Sequence, residues 1–269
     1  MGKVIFVTYA SGVYEKNMFW NKLFIKIFIR PDKIIFFTDK DLKKSNIYEQ
    51  NKNIFDSTIG AGYWAWKPWA ILEAVKSANE GDIILYQDCG KGFKYKNFLK
   101  PTNLINYAKT HNIMPGILVP IHGKNKNWTH SKCFELMNCN NERYYNTPQV
   151  EAVISAWKVN PKSIEVLSEW LKYCLNIEII GDCQEKSLIK NNEFRNHRYD
   201  QSILTNLVIK KDLKPIRLSF DDMHFSKSMS LVDLDLDKKN FFNKMIRNII
   251  LLIFRLKNNF KYILNRRNK

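Results

Sequence analysis

Long apolar runs are missing from this sequence of 269 residues. The stretch Asn248 to Phe254 is cut off by Arg247 and Arg255, far short of the roughly 20 apolar residues that span a bilayer, which excludes a polytopic membrane protein. The run Val4 to Tyr9 is too short for the apolar core of a signal peptide. The five cysteines, Cys89, Cys133, Cys139, Cys174 and Cys183, are an odd number with no CxxC pair, a pattern that indicates reduced thiols in a cytoplasm. Also missing are H-x-x-H, G-x-S-x-G, Walker and dinucleotide-binding words, so zinc hydrolases, serine hydrolases, P-loop enzymes and dehydrogenases gain no support. Loop punctuation runs out too: no glycine follows Gly181 and no proline follows Pro215.

What is present reads as a globule. Hydrophobic residues make up 45% and charged residues 26%, close to the globular average and far from a disordered composition. The length suits one large domain or two small ones. The formal charge of +17 is unevenly distributed. Residues 238–269 hold 10 basic and no acidic residues, leaving 33 basic against 26 acidic, a net +7, for residues 1–237. That break in composition sets the expected boundary between a body, 1–237, and a basic tail, 238–269. Phe242, Ile246, Ile249, Ile253, Leu256, Phe260 and Ile263 recur at alternating steps of four and three, one stripe of a helix. Lys244, Arg247, Arg255, Lys261 and Arg266 fall largely on the other side. An amphipathic helix with cations and no acid suits the anionic surface of a membrane; packing on the body or in a coiled coil is the other reading.

Along the body, short β-rich runs alternate with helical stretches: Val4 to Ala10, Lys33 to Asp39, Asp82 to Asp88, Gly116 to His122, Ile177 to Asp182 and Leu213 to Ser219. Tyr14 to Phe28 has helical spacing between the first two, so strand, helix, strand implies a parallel sheet. Pro68 suits the first turn of a helix over Trp69 to Ala78. Pro161 starts another over Ser163 to Leu175, with Ile164, Leu167, Trp170 and Leu171 on one face. Asp200 to Ile209 forms a further helix. The run Ile83 to Tyr86 is uniformly apolar, as in a central strand buried on both faces, and it ends in Gln87-Asp88-Cys89-Gly90. A carboxylate at the carboxyl end of such a strand is well placed to meet a ligand.

Four segments join this apolar framework to polar residues: Gly60-Ala-Gly-Tyr-Trp-Ala-Trp-Lys-Pro-Trp69, Asp82-Ile-Ile-Leu-Tyr-Gln-Asp-Cys-Gly90, His197-Arg-Tyr-Asp-Gln-Ser-Ile-Leu204 and Asp221-Asp-Met-His224. Together, from about Val4 to Phe225, they resemble a family of bacterial glycosyltransferase-like proteins of capsule and lipopolysaccharide gene clusters. That family repeats a G-Y-W-x-W-K-P segment, a D-x-G after a strand and an H-R-x-D-Q-S segment. The resemblance implies a GT-A-like α/β fold with a mostly parallel central sheet, a nucleotide-sugar donor and glycosyl transfer.

In this reading Asp88 and Asp200 are the catalytic carboxylates, with His197 as a further acid or base. Trp64, Trp66, Lys67, Gly90, Arg198 and Gln201 form the donor-binding set. One of the two tryptophans would stack on base or sugar while the other, with Trp69, packs in the core. Lys67 would neutralise diphosphate oxygens, and Arg198 would bind phosphate or carboxylate. In many GT-A enzymes a D-x-D segment holds Mg²⁺ or Mn²⁺. Here Gly90 stands in place of the second acid, leaving Asp88 with the distant His224 as the metal candidates.

The bland readings stand beside these. Asp88 would cap a turn, Asp200 would cap a helix, Lys67 would be solvated and His224 an ordinary imidazole. The expected acceptor is a surface polysaccharide or its lipid-linked precursor, at the inner face of the cytoplasmic membrane, with no specific nucleic-acid partner. Two alternatives remain: a transferase moving another phosphate-bearing group onto the polysaccharide, and a non-enzymatic basic protein of membrane surfaces or nucleic acid.

Overall fold

The computed structural model describes residues 2–18, 22, 25–26, 29–89, 101–118, 122–182 and 193–217. The expected tail at 238–269, the boundary before it, Gly90, Cys183 and His224 lie outside these residues, as do seven of the fifteen residues of the helix expected over Tyr14 to Phe28, whose first residues belong to a 3-10 helix, Gly12–Asn17. All described residues fall within one compact unit, Met1–Cys89 with Leu99–Leu218. No helix among the described residues is long and apolar enough to cross a membrane.

The main sheet is built from β1 (Val4–Ala10), β2 (Lys33–Thr38), β3 (Ile83–Gln87), β4 (Ile113–Met114) and β7 (Ile154–Lys158), and β5 (Ile117–Leu118), β6 (Val150–Glu151) and β8 (Ile216–Arg217) form a small second sheet. The order across the main sheet is β2-β1-β3-β7-β4. β1 pairs parallel with β2 and β3, while β7 runs antiparallel to both β3 and β4. Four of the five strands therefore point one way, a mixed α/β architecture with a mostly parallel sheet. The chain leaves β1 for β2 on one side and returns to β3 on the other, so a topological switch point opens between the carboxyl ends of β1 and β3.

Both faces of the sheet are covered, which is why β1 and β3 read as continuous apolar runs rather than alternating ones. Ile5 lies in register with Ile84, and Ile84 with Trp157, on one face. There they meet helix α1 (Trp66–Lys76) in the hydrophobic core. Helix α2 (Pro101–His111), with Leu104 and Ala108 buried, packs on β3, β4 and β7. Helix α3 (Pro161–Cys174) packs on α1. It is capped by the Asn160 side chain, which accepts from Ser163 N–H at 2.9 Å, and it has Pro161 in its first turn. Helix α4 (Asp200–Lys210) lies against α3.

Ile177 to Asp182, expected as a strand, is instead a helical turn, Ile177–Ile180, opened by the Asn176 side chain accepting from Glu178 N–H at 3.0 Å. A short apolar run is ambiguous by period, and the Asn cap decides it. Ile164, placed on the buried face of α3, is 36% exposed, whereas Leu167, Trp170 and Leu171 are buried. The antiparallel β7, whose sequence Ile-Ser-Ala-Trp-Lys lacks a plain alternation, was not anticipated.

One segment departs from ordinary backbone geometry. Gly60, Ala61, Gly62, Tyr63 and Trp64 all have positive φ, from 52° to 97°. Left-handed backbone costs roughly 1–2 kcal/mol for each residue that carries a Cβ, so Ala61, Tyr63 and Trp64 are strained and the two glycines are required. A Cβ on Gly60 would overlap the Trp64 ring, and one on Gly62 would stand 2.9 Å from the Phe55 Cα. Gly62→Ala should therefore lower stability by about 1–3 kcal/mol in denaturant unfolding, while Ala61→Gly, which removes a Cβ from φ 52°, should not destabilise. A neutral Gly62→Ala would contradict the left-handed turn.

Candidate active site

The strained turn delivers the chain into α1 with Lys67 in the first helical turn. Trp66 anchors it: its ring stacks on Tyr9 of β1 at 4.2 Å between centroids, and its Nε1–H donates to Gly60 O at 3.0 Å. Trp66 is 7% and Trp69 5% exposed. Trp66 therefore packs in the core rather than offering a face to a ligand, and the half-buried ring of the set is Trp64.

Lys67 is only 3% exposed, and its ammonium lies between two carboxylates from other parts of the chain. Nζ is 3.3 Å from Asp88 Oδ1 and 3.2 Å from Asp200 Oδ2. Asp88 follows the last residue of β3, where its N–H donates to Val153 O at 3.0 Å and its Oδ1 accepts from the Tyr86 hydroxyl at 2.6 Å. Asp200 is the first residue of α4, with its own carbonyl accepting from Trp170 Nε1–H at 3.0 Å. It is thus not the N-cap; that position belongs to Tyr199. The Asp88 side chain keeps 31% exposure, against 5% for Asp200. Asp88 is thus the member of the cluster that solvent reaches, while Lys67 and Asp200 are buried.

Two acids share one base. Burial pushes the Asp200 carboxyl up to about 7, against the pull of Lys67 and with the help of the Asp88 charge. Burial alone would lower the Lys67 ammonium, but Asp200 and Asp88 together hold it above the ordinary lysine value. With all three ionised the cluster carries one uncompensated negative charge in a dry setting, and a proton on Asp200 removes it. Lys67 is therefore committed to carboxylates, which corrects its assignment as a free cation for diphosphate oxygens.

The neighbouring segment places the remaining residues. Gln201 pins the start of α4 to β6 and its turn: its Nε2 donates to Gln149 Oε1 at 2.7 Å, and its Oε1 accepts from Ala152 N–H at 3.5 Å. Gln201 thus serves the packing that brings Asp200 to Asp88. His197 is 2% exposed, and its ring lies 4.0 Å from that of His130. Its Nε2 reaches Ile179 O at 3.1 Å, and burial keeps the imidazole well below the usual histidine range, hence neutral. Arg198 is exposed, with its guanidinium 4.3 Å from the centre of the Trp128 ring.

Tyr199, with φ 49°, stacks on Trp64 at 5.4 Å and leans on Tyr63 at 5.6 Å. Three aromatic residues with positive φ thus meet where the Lys67 and Asp200 segments adjoin, the kind of stored strain that gathers at functional sites. Sequence reasoning missed Tyr86, Tyr199 and Trp128. Tyr86 was within reach, because residues two apart on a strand share a face and Tyr86 stands two before Asp88.

The family resemblance implies a divalent cation, and the described residues do not fit one. The position between the carboxylates belongs to the Lys67 ammonium, and no group of three or more His, Cys, Asp or Glu residues among the described residues is arranged to hold a metal. The cysteines do not supply soft ligands either: Cys133, Cys139 and Cys174 are buried free thiols.

No family model and no curated protein matches this chain. Among solved structures it is similar to mouse xyloside xylosyltransferase 1 in its apo form. The TM-score is 0.38 and the identity 12%, over 80% of this chain and 72% of that one.

The cluster makes a direct prediction about stability. Lys67→Met leaves the buried Asp200 carboxylate without its cation beside the partly exposed Asp88 and should cost about 3–5 kcal/mol. Asp200→Asn mimics the protonated acid and should cost less. Because the folded carboxyl binds its proton more tightly than the unfolded one, its contribution is present below about pH 4 and is lost as pH rises through about 7. Asp200→Asn should therefore gain stability relative to the native protein between pH 4 and 7.5 in urea unfolding. A larger loss for Asp200→Asn than for Lys67→Met would refute this charge assignment.

Proposed function

We propose that this protein is a glycosyltransferase that takes its donor from a nucleotide sugar. The observation that carries the reading is the position of the Lys67-bridged carboxylates at the carboxyl end of β3, beside the switch point between β1 and β3. Open α/β sheets bind ligands at that point. The family resemblance in the sequence supplies the reaction, and the site supports it with residues suited to sugar chemistry.

Asp88, the exposed member of the cluster, is the catalytic residue in this reading. Its carboxylate stands where positive, oxocarbenium-like charge develops on the donor sugar, and a preorganised charge in a dry cleft is a strong stabiliser of such a state. Lys67 and Asp200 are positioning residues: the buried ammonium fixes Asp88, and Asp200, near its titration midpoint at neutral pH, adjusts the charge behind it. Trp64, backed by Tyr199, offers the half-buried ring on which a base or sugar would stack. The acceptor is a bacterial surface polysaccharide or its lipid-linked precursor, and the basic stripe of residues 238–269 brings the enzyme to the anionic inner leaflet where that precursor is assembled.

A panel of nucleotide sugars, read by thermal shift and by donor hydrolysis, tests the proposal. At least one should raise the melting temperature, as any ligand that binds only the native state must. Asp88→Ala should abolish donor turnover by at least a hundredfold with an unchanged circular dichroism spectrum. Failure of every nucleotide sugar at millimolar concentration, or full turnover by Asp88→Ala, would overturn it.

A further inference from the structure

The Arg198 guanidinium lies not on the carboxylate cluster but on the indole of Trp128, 4.3 Å from the ring centre, and a second guanidinium, that of Arg195, lies 5.5 Å from the same ring. Two like charges over one ring repel each other, so the arrangement needs a cause. Backbone pairing supplies part of it: Arg195 N–H donates to Asn127 O at 2.8 Å, and Arg198 N–H to Trp128 O at 3.0 Å. Trp128 is itself held, with Nε1–H donating to His122 O at 2.6 Å. From the other side the Ser202 hydroxyl donates to Trp128 O at 2.6 Å and accepts from Arg198 N–H at 3.1 Å. The framework is built, while the two charged heads remain exposed.

Neither guanidinium has a carboxylate partner among the described residues. The nearby acid, Glu193, is bound to Lys126 at 2.7 Å and to Asn127 at 3.4 Å. A guanidinium lying on an aromatic face keeps its N–H groups in the plane pointing outward, in the fork that matches an oxyanion, and loses less side-chain freedom on binding than an unsupported one.

We propose that Arg195 and Arg198, carried on Trp128, form an oxyanion-binding site for a phosphate or carboxylate group of a substrate. This site is made of different side chains from the Lys67 cluster and does not rest on the glycosyltransferase reading. It is tied to that cluster through the start of α4, because Arg198 stands two residues before Asp200 and shares Ser202 with Trp128. An anion that draws the two guanidiniums together would thus act on the segment that presents Asp200.

Isothermal titration of the full-length protein at low ionic strength, with inorganic pyrophosphate in one arm and glucuronate in the other, tests the site and separates its two chemistries. Arg195→Gln combined with Arg198→Gln should weaken whichever anion binds by at least tenfold. Arg266→Gln with Arg267→Gln removes the same net charge from the tail and should change affinity less than twofold. Tighter pyrophosphate binding identifies a phosphate site and tighter glucuronate binding a carboxylate site, and either supports the proposal. An equal loss in both double variants, or binding of neither anion, would overturn it. Since neither probe contains a nucleotide, its failure is separate from failure of the donor-site reading.

Discussion

A buried ammonium is tolerated only where carboxylates surround it, and in this protein that requirement ties together three distant parts of the chain. Lys67 comes from the start of α1, Asp88 from the end of β3 and Asp200 from the start of α4. Leaving Lys67 or Asp200 unpaired in the interior costs several kcal/mol, so the helices and the strand are held in one relative placement. The surrounding contacts serve the same end: Tyr86 fixes Asp88 from within the strand, Trp170 fixes the backbone of Asp200, and Trp66 locks α1 to β1. The switch point lies between the carboxyl ends of β1 and β3, and the charged cluster stands at the carboxyl end of β3.

Strain is concentrated beside the cluster. The left-handed run Gly60–Trp64 and the positive φ of Tyr199 are each unfavourable alone, yet they meet in an aromatic stack that stabilises both. Local backbone energy is thereby traded for a rigid pair of rings next to Asp200. Rigid aromatic faces and a carboxylate at a strand end are what a sugar-binding cleft requires, since sugars present C–H faces to rings and hydroxyls to acceptors.

Much of this was legible in the sequence, and the failures have physical causes. β1, β2, β3 and helices α3 and α4 lie within a residue or two of their expected places, because apolar runs, Pro161 and the Asp200 helix start are local signals. The Ile177 turn was misread because its three apolar residues, Ile177, Ile179 and Ile180, fit either period. β7 was missed because its partners, β3 and β4, lie far away in the chain. The segments holding Lys67, Asp88 and Asp200 could be singled out one by one, but which charges face each other is a tertiary fact. So Lys67, read as a cation open to phosphate, is closed in by acids, and Arg198 joins Arg195 on Trp128, a partnership that no spacing announces.

The central claim is that the carboxylate cluster is the floor of a nucleotide-sugar site. A crystal structure of the protein with uridine diphosphate, or with whichever nucleoside diphosphate binds most tightly, measures this directly. The account predicts density for the nucleotide across the carboxyl ends of β1 and β3, within reach of Asp88 and Trp64. A nucleotide bound at any other surface, away from Asp88, would contradict it.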